Sequence, residues 1–396
     1  MASHRPPPLA GTTVVTFEQA VAAPFATRQL ADLGARVIKV ERPDGGDFAR
    51  AYDAAVHGLS SHFVWLNRSK ESLTLNLKRP DAATVLDRLL DRADVLVQNL
   101  APGTAARLGL DAAALRRRYP RLIVCNISGY GTSGPYAAKK AYDLLVQAEV
   151  GLTAITGTPE TPSRVGISVA DIAAGMYAFS GVLTALLART STGEGTTLDV
   201  SLFDALSEWM SFPAYYTAYT GQALPRSGPN HVSIAPYGPF RTADAQVFLA
   251  VQNAREWNRF CTDVLQLPEV TDDPSFRTNQ LRTANREALH AIINQVLREL
   301  PTDTLVDRLE RAGIAYSRMN SVAEFLDHPQ LITRGRWQEI ESEAGPVRAL
   351  KPPVLIDGIN PVMGRVPALG EHTRAILEEL GFDRPTLDRW KQEHFV

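Results

Sequence analysis

The stretch TVVTFEQAVAAPFATRQLADLGARVIKVE, residues 13–41, decides the fold. TVVTF is a short β-branched run and predicts a strand. PFATRQLADLG predicts a helix, with Pro24 near its first turn and Gly34 at its end. RVIKVE predicts a second strand. Further along, SLTLNL, DVLVQN, RLIVCNIS and TTLDVS read as strands, and PDAATVLDRLLDRA carries Val85, Leu86, Leu89 and Leu90 at helical spacing. Strands alternating with helices imply an α/β fold with a parallel sheet covered on both faces. The first turn, FEQAVAAPFA, lacks glycine, so the G-x-G-x-x-G fingerprint of a nicotinamide dinucleotide site is missing, although Glu41 ends the second strand where such a site has its acidic residue. Ala20, Ala22 and Ala23 still let a ligand approach the backbone closely, and the following helix N-terminus suits a phosphate or carboxylate.

The 396 residues suit two domains, or one with an insertion, and the net charge of −2 carries no basic surplus pointing to nucleic acid. Only Cys125 and Cys261 are present, and the opening MASHRPPPLAG lacks the apolar core of a signal peptide, so a reducing cytoplasm is expected. The eight histidines are scattered, with no metal-ligand spacing, and neither G-x-S-x-G nor a P-loop is present. GQALPRSGPNHVSIAPYGPF, residues 221–240, reads as a long connection or active-site loop. QVFLAVQ and AREWNRFCTDVL then start a second unit with further helices near 285–300 and 304–312; HPQLITRGRW looks like a return segment. The tail, with PVLIDG and HTRAILEELG, is expected to pack back on the first domain.

RVGISVADIAAGMYAFSGVLTALLAR, residues 164–189, has Asp171 as its only charge between the two terminal arginines. It is long enough to span a bilayer, but Asp171, Ser168, Ser180 and several glycines favour a buried helix of a soluble protein, with no membrane partner. A carboxylate in such surroundings needs compensation. The commoner reading is a helix N-cap, accepting the amides of the first turn. The other is a covalent nucleophile whose cost is lowered by the helix N-terminus, with nearby N–H groups holding an oxyanion. The residues alone leave both open.

Several segments together resemble the class III CoA-transferases, the family of formyl-CoA transferase and carnitine CoA-transferase. They are LADLGARVIKVERPDGGDFAR, NRSKESLTLNLK, VQNLAPGTAARLGL, ISGYGTSGPY, AYDLLVQAEVGLTAITGTPETPSRVGISVADIAAGMYA, STGEGTTLDVSLFDAL and GIAYSRMNSVAEFLDHPQL. The resemblance runs nearly the whole chain, in order, and lies nearer the succinyl-CoA:dicarboxylate enzymes. It implies an α/β chain: a Rossmann-like large domain built from both chain ends, a smaller α+β domain, and an interlocked homodimer. The expected parts are 1–220 for the large domain, 221–325 for the small domain with its linker, and 326–396 for the return segment. It also implies that Asp171 carries first the acyl group and then CoA, with no permanently bound cofactor and with coenzyme A thioesters as substrates. The same family holds α-methylacyl-CoA racemases, which use a His-Asp pair before the shared aspartate. Here Tyr142 stands where that histidine would be, followed by Asp143, and tyrosine, with a pKa near ~10, is a poor base at neutral pH. The transferase is therefore expected; a racemase, or a non-catalytic acyl-CoA-binding protein, is the alternative.

The resemblance further places Ala20, Val21 and Ala22 against the thioester and Arg42 beside adenine. Leu75 and Lys78 would contact adenine and phosphate, Asn99, Leu100 and Arg107 would complete the CoA grip, and Lys140 and Tyr142 would approach pantetheine and its thioester. Cations on so anionic a ligand make physical sense, while each taken singly reads as a solvated surface charge. Val21 replaces a glutamine of the formyl-CoA enzymes, and the 221–240 loop offers Arg226, Asn230 and His231 for a second carboxylate and an oxygen. These point to a C4–C5 dicarboxylate acceptor with an apolar branch, such as itaconate, mesaconate, citramalate or malate, and to succinyl-CoA as donor.

Overall fold

The computed structural model describes residues 5–396, so the first four residues of the opening read above for a leader lie outside the described residues. The chain forms two compact units. One is built from three segments, the first running to Val150, then Gly166–Ser211 and Leu331–Val396; the other from Gly151–Val165 and Phe212–Gln330. The stretch 151–165, expected inside the large domain, therefore belongs to the second unit. The Arg226 guanidinium binds the carbonyls of Ala154, Thr158 and Pro159, and Gly228 N–H donates to the Gly157 carbonyl at 2.9 Å, which ties that stretch to the 221–240 loop.

The larger unit holds six parallel strands. They are β1 (Thr13–Phe17), β2 (Arg36–Glu41), β3 (Lys70–Thr74), β4 (Val95–Gln98), β5 (Ile123–Ser128) and β6 (Thr197–Ser201), in the order β3-β2-β1-β4-β5-β6. The strand expected over SLTLNL starts two residues earlier, at Lys70, because pairing with β2 begins at Val37↔Lys70. It ends at Thr74, after which Leu75 N–H closes on the Glu41 carbonyl at 2.8 Å. One face is a continuous core in which Val15, Phe17, Ile38, Leu73 and Leu96 meet Val85, Leu89, Leu377, Trp390 and Phe395. The last three residues come from the C-terminal helices Thr373–Glu379 and Arg384–Gln392 and the segment after them. An antiparallel pair, Trp337–Ile340 with Val347–Leu350, lies in the returning segment.

The helix Ala22–Asp32 (α1) packs on the long apolar helix Val169–Thr192, here α3; the short helix Asp143–Glu149 is α2. By length and composition α3 passes as a membrane span, yet Ala170, Ala173, Ala174, Gly175 and Ala178 are buried inside the protein. These small residues let the two backbones close up. A Cβ on Gly175 would sit 2.7 Å from the Ala22 carbonyl oxygen.

The second unit is an antiparallel sheet of Tyr237–Arg241, Gln246–Ala250 and Ala315–Arg318. Its core gathers Phe240, Val247, Trp257, Phe260, Leu289 and Leu305 around the helices Arg286–Leu297 and Thr302–Ala312.

Candidate active site

In an open parallel sheet, ligands bind at the carboxyl ends of the strands where the strand order reverses. Here that point lies between β1 and β4. The turn after β1 is held there by Asn99, which follows β4. Asn99 Oδ1 accepts Gln19 N–H at 2.9 Å and its Nδ2 donates to the Gln19 carbonyl at 2.9 Å. The turn then places Ala20 at φ 61°, a left-handed conformation unusual for a residue with a Cβ. Ala20 N–H donates to Asp47 Oδ1 at 3.1 Å. Beneath it is a wholly buried ion network. Glu18 Oε1 accepts Lys70 Nζ at 2.6 Å and Lys39 Nζ at 3.3 Å, and Lys39 Nζ also donates to Asp47 Oδ2 at 2.7 Å. Burial alone would raise Glu18, but the two ammonium groups outweigh it and hold the carboxyl down at about 2. No side chain caps α1, so its first-turn N–H groups remain free of such a partner.

Asp171 is not the cap of its helix. Ser168 occupies the N-cap position and Asp171 lies inside the first turn. The cap comes from α2: Asp143 Oδ1 accepts Ala170 N–H at 2.8 Å and Asp171 N–H at 3.4 Å, while Gln147 Nε2 donates to Asp143 Oδ2 at 2.7 Å. The first-turn amides expected to stabilise an oxyanion are therefore spent on Asp143. The Val169 N–H likewise goes to the Ile167 carbonyl. With those donors engaged, burial dominates and the Asp143 charge adds to it. Together they push the Asp171 carboxyl up to about 7. The group is only partly exposed and sits among alanines. A carboxylate of raised basicity without its own hydrogen-bond cage is a competent nucleophile.

Tyr142, 67% exposed, precedes Asp143 at the N-cap of α2. Tyr52, which the sequence reading missed, completes the group. Burial, then the charges of Asp47, Asp171 and Tyr142, push its phenol up to about 12. It is thus a neutral donor near Asp171 across the whole working pH range. Its only sequence signal is its place just after the GGDFAR turn. Lys140 is exposed, and its neighbour Lys139 is anchored by Glu149 and by the Tyr136 ring, 4.3 Å from its Nζ.

Several expected contacts are placed differently. Leu75 is fully buried among the core side chains, so its side chain cannot face adenine. Val21 and Ala22 are 3% and 2% exposed, so neither side chain forms a wall of the site; of the three expected there, Ala20 alone keeps partial exposure. The Asn99 amide is committed at both ends to Gln19. Leu100 is part-buried against the core, its N–H on Gln98 Oε1. Arg42 and Arg107 are exposed at the surface. Arg42 braces its own turn through the Gly46 carbonyl, and Arg107 holds Thr104 Oγ1 at 2.7 Å. Lys78 is exposed. An open groove of about 600 Å³ beside Asp111–Arg117 and the β5–β6 edge includes none of these residues.

In the second unit, Arg226 is not a free clamp. Its Nε, Nη1 and Nη2 donate to the carbonyls of Thr158 (2.7 Å), Ala154 (3.0 Å) and Pro159 (2.7 Å). Asn230 and His231 line a cavity of about 330 Å³ with Ile155, Phe212, Leu224 and Val232. His231 stacks on Tyr237 at 5.1 Å and accepts Ser233 N–H on Nδ1, which leaves the proton on Nε2. Among the described residues, no group of three or more His, Cys, Asp or Glu gathers as a metal site would require.

Comparison with known proteins agrees with the fold. The family model "CoA-transferase family III" matches residues 9–373. A succinate–glutarate CoA-transferase of Agrobacterium fabrum is 34% identical over 95% of this chain and 96% of its own length. An acetyl-CoA:oxalate CoA-transferase of Acetobacter aceti is 36% identical over 94% and 95%. Among solved structures, a CAIB/BAIF family protein from Brucella suis superimposes with a TM-score of 0.83 at 33% identity, covering 95% of this chain and 100% of the other. With the family model matching nearly the whole chain and these relatives more than 30% identical along it, the chain belongs to CoA-transferase family III.

Proposed function

We propose that the protein moves CoA from succinyl-CoA to a small dicarboxylic acid, with Asp171 as the covalent carrier. The observation that carries this reading is the place of Asp171 in the first turn of its buried helix, where the amides of Ala170 and Asp171 go to Asp143 while burial and then the Asp143 charge push its carboxyl up to about 7. One carboxylate oxygen attacks the thioester carbonyl and CoA leaves as thiolate, giving a mixed anhydride. The thiolate attacks the aspartyl carbonyl, releasing the donor acid and leaving an aspartyl-CoA thioester. The acceptor carboxylate displaces the thiolate to form a second anhydride. Thiolate attack on the acceptor's carbonyl then yields the new CoA ester and regenerates Asp171. The Tyr52 phenol, pushed up to about 12, and the Tyr142 hydroxyl are the groups that would donate to the developing oxyanions.

The names of the two relatives support a dicarboxylate acceptor, since glutarate and oxalate are both diacids. With Val21 buried and Arg226 engaged, neither the apolar branch nor that clamp supports the choice any longer, and a C4–C5 diacid is retained on kinship with the glutarate enzyme. The chain is proposed to act as a homodimer, because Leu187, Tyr219 and Val354 leave 71%, 85% and 72% of their surfaces exposed, and a second copy would cover them. Two buried free thiols fit a cytoplasmic setting.

The test is mass spectrometry of CoA esters after incubation with succinyl-CoA and a panel of mono- and dicarboxylic acids. Acceptor-dependent exchange, with an Asp171-linked CoA adduct trapped in the absence of acceptor, supports the reading. Deuterium uptake at the α-carbon of a 2-methylacyl-CoA without any acceptor would replace it with racemisation.

A further inference from the structure

Asp47 does nothing in the chemistry above, yet it touches two of the segments that frame Asp171. It is buried, and both its oxygens are used: Oδ1 accepts Ala20 N–H at 3.1 Å and Ala49 N–H at 2.9 Å, and Oδ2 accepts Lys39 Nζ at 2.7 Å. The first bond holds the turn after β1, in which Ala20 stays left-handed at φ 61°. The second caps the single turn Phe48–Ala51, whose last carbonyls lead directly to Tyr52. The third ties Asp47 to the buried network under Glu18. Asp47 N–H is itself fixed, donating to Glu41 Oε1 at 3.1 Å.

A non-glycine residue persists in the left-handed region only where its surroundings over-determine it. The bonds that do so here are those from Asp47 to Ala20 and from Asn99 to the adjoining Gln19. One carboxylate oxygen thus joins the thioester-side turn to the turn that sets Tyr52 near Asp171. We propose that Asp47 is a positioning residue for acyl transfer, locking the Ala20 turn and the Tyr52 turn into one geometry. This rests on the reading of Asp171 as the carrier. It concerns alignment rather than contact with the substrate, so it should act on kcat more than on binding.

The experiment compares Asp47→Ala, Asp47→Asn, the double variant Asp47→Ala/Ala20→Gly, and Asp171→Ala as control, with hydrogen exchange at the Ala20 amide alongside kinetics. Asp47→Ala is expected to lower kcat at least 30-fold, with KM for the CoA ester within threefold, and to speed Ala20 amide exchange at least tenfold. Ala20→Gly in that background is expected to restore kcat at least fivefold, because glycine holds a positive φ without a brace. Asp47→Asn keeps an oxygen for Ala20 and Ala49 while losing the charge on Lys39. It should stay within fivefold of the native kcat even if its thermal stability falls, and it carries the test if Asp47→Ala fails to fold. The proposal is overturned by a near-native kcat in Asp47→Ala, by equal loss in the Asn and Ala variants, or by an Ala20 amide indifferent to Asp47. An active Asp171→Ala would instead remove the carrier assignment, leaving the exchange result to be read on its own.

Discussion

Asp143 caps the helix that carries Asp171, accepting the Ala170 amide at 2.8 Å, and by doing so raises the pKa of the residue it helps to place. The two carboxylates divide a single helix N-terminus between them. The inner one takes the amides and the dipole; the outer one is left with low solvation and a like charge nearby.

Replacing Asp171 by Asn should lower transfer at least ~1,000-fold while the fold persists, as expected when a covalent carrier is removed. In the native enzyme kcat/KM for the acyl-CoA should rise with pH and level off above about 7. The stability sign follows from the raised value: the folded protein resists ionising Asp171, so its contribution is intact below ~4 and is lost as pH rises toward about 7. Asp171→Asn should therefore gain stability over the native protein across that interval, by on the order of 2 kcal/mol after allowing for partial exposure. Melting curves at pH 5 and pH 8 measure it, and an equal difference at both would contradict the assignment.

Asp143→Asn removes the like charge but keeps an acceptor oxygen for Ala170. The pH–rate midpoint should move downward with little change in melting temperature. Asp143→Ala should also shift it, and should cost about 1 kcal/mol through loss of the cap. A midpoint that stays fixed in both variants would show that the Asp143 charge does not reach Asp171.

Arg226→Ala should destabilise the second unit by about 2 kcal/mol, since three backbone carbonyls lose a charged donor. Lysine should not rescue it, because one ammonium cannot reach three carbonyls held by three separate nitrogens. Denaturant titration monitored within that unit reads this. A selective rise in KM for diacids at unchanged stability would restore the clamp role.

Gly175→Ala should cost about 1–3 kcal/mol, because its Cβ would lie 2.7 Å from the Ala22 carbonyl and would force α3 away from α1. Asp171 is one turn away on the same helix, so kcat should fall as well. Thermal melts paired with steady-state rates would separate the two effects.

Much of the fold was legible in local pattern. TVVTF and RVIKVE fall on β1 and β2 without a residue of error, because β-branched runs bounded by turn residues have few alternatives. The order of the strands was not legible, since it depends on crossovers that no local window contains. The burial of the Leu75 side chain was legible: its alternation with Leu73 puts both on one face, and that face is core. Arg226 could not, because the carbonyls that occupy it lie 67 to 72 residues away. Asp171 stands out in the sequence through its isolation among apolar residues, whereas the bonds by which Asp143 caps its helix and Asp47 holds the neighbouring turns appear only in the folded chain.

The larger unit is stitched from three separated stretches, and its final piece supplies Trp390, Phe395 and the carbonyl that receives the Asn76 amide at 2.8 Å. During synthesis, the part of that face covered by the C-terminal helices must therefore stay open from the completion of β6 at Ser201 until Thr373–Glu379 and Arg384–Gln392 are made, and the inserted unit has all its parts first. Clipping the last dozen residues would thus not trim a tail but take Leu387, Trp390 and Phe395 out of the core and expose part of the apolar face, with aggregation rather than partial activity as the outcome.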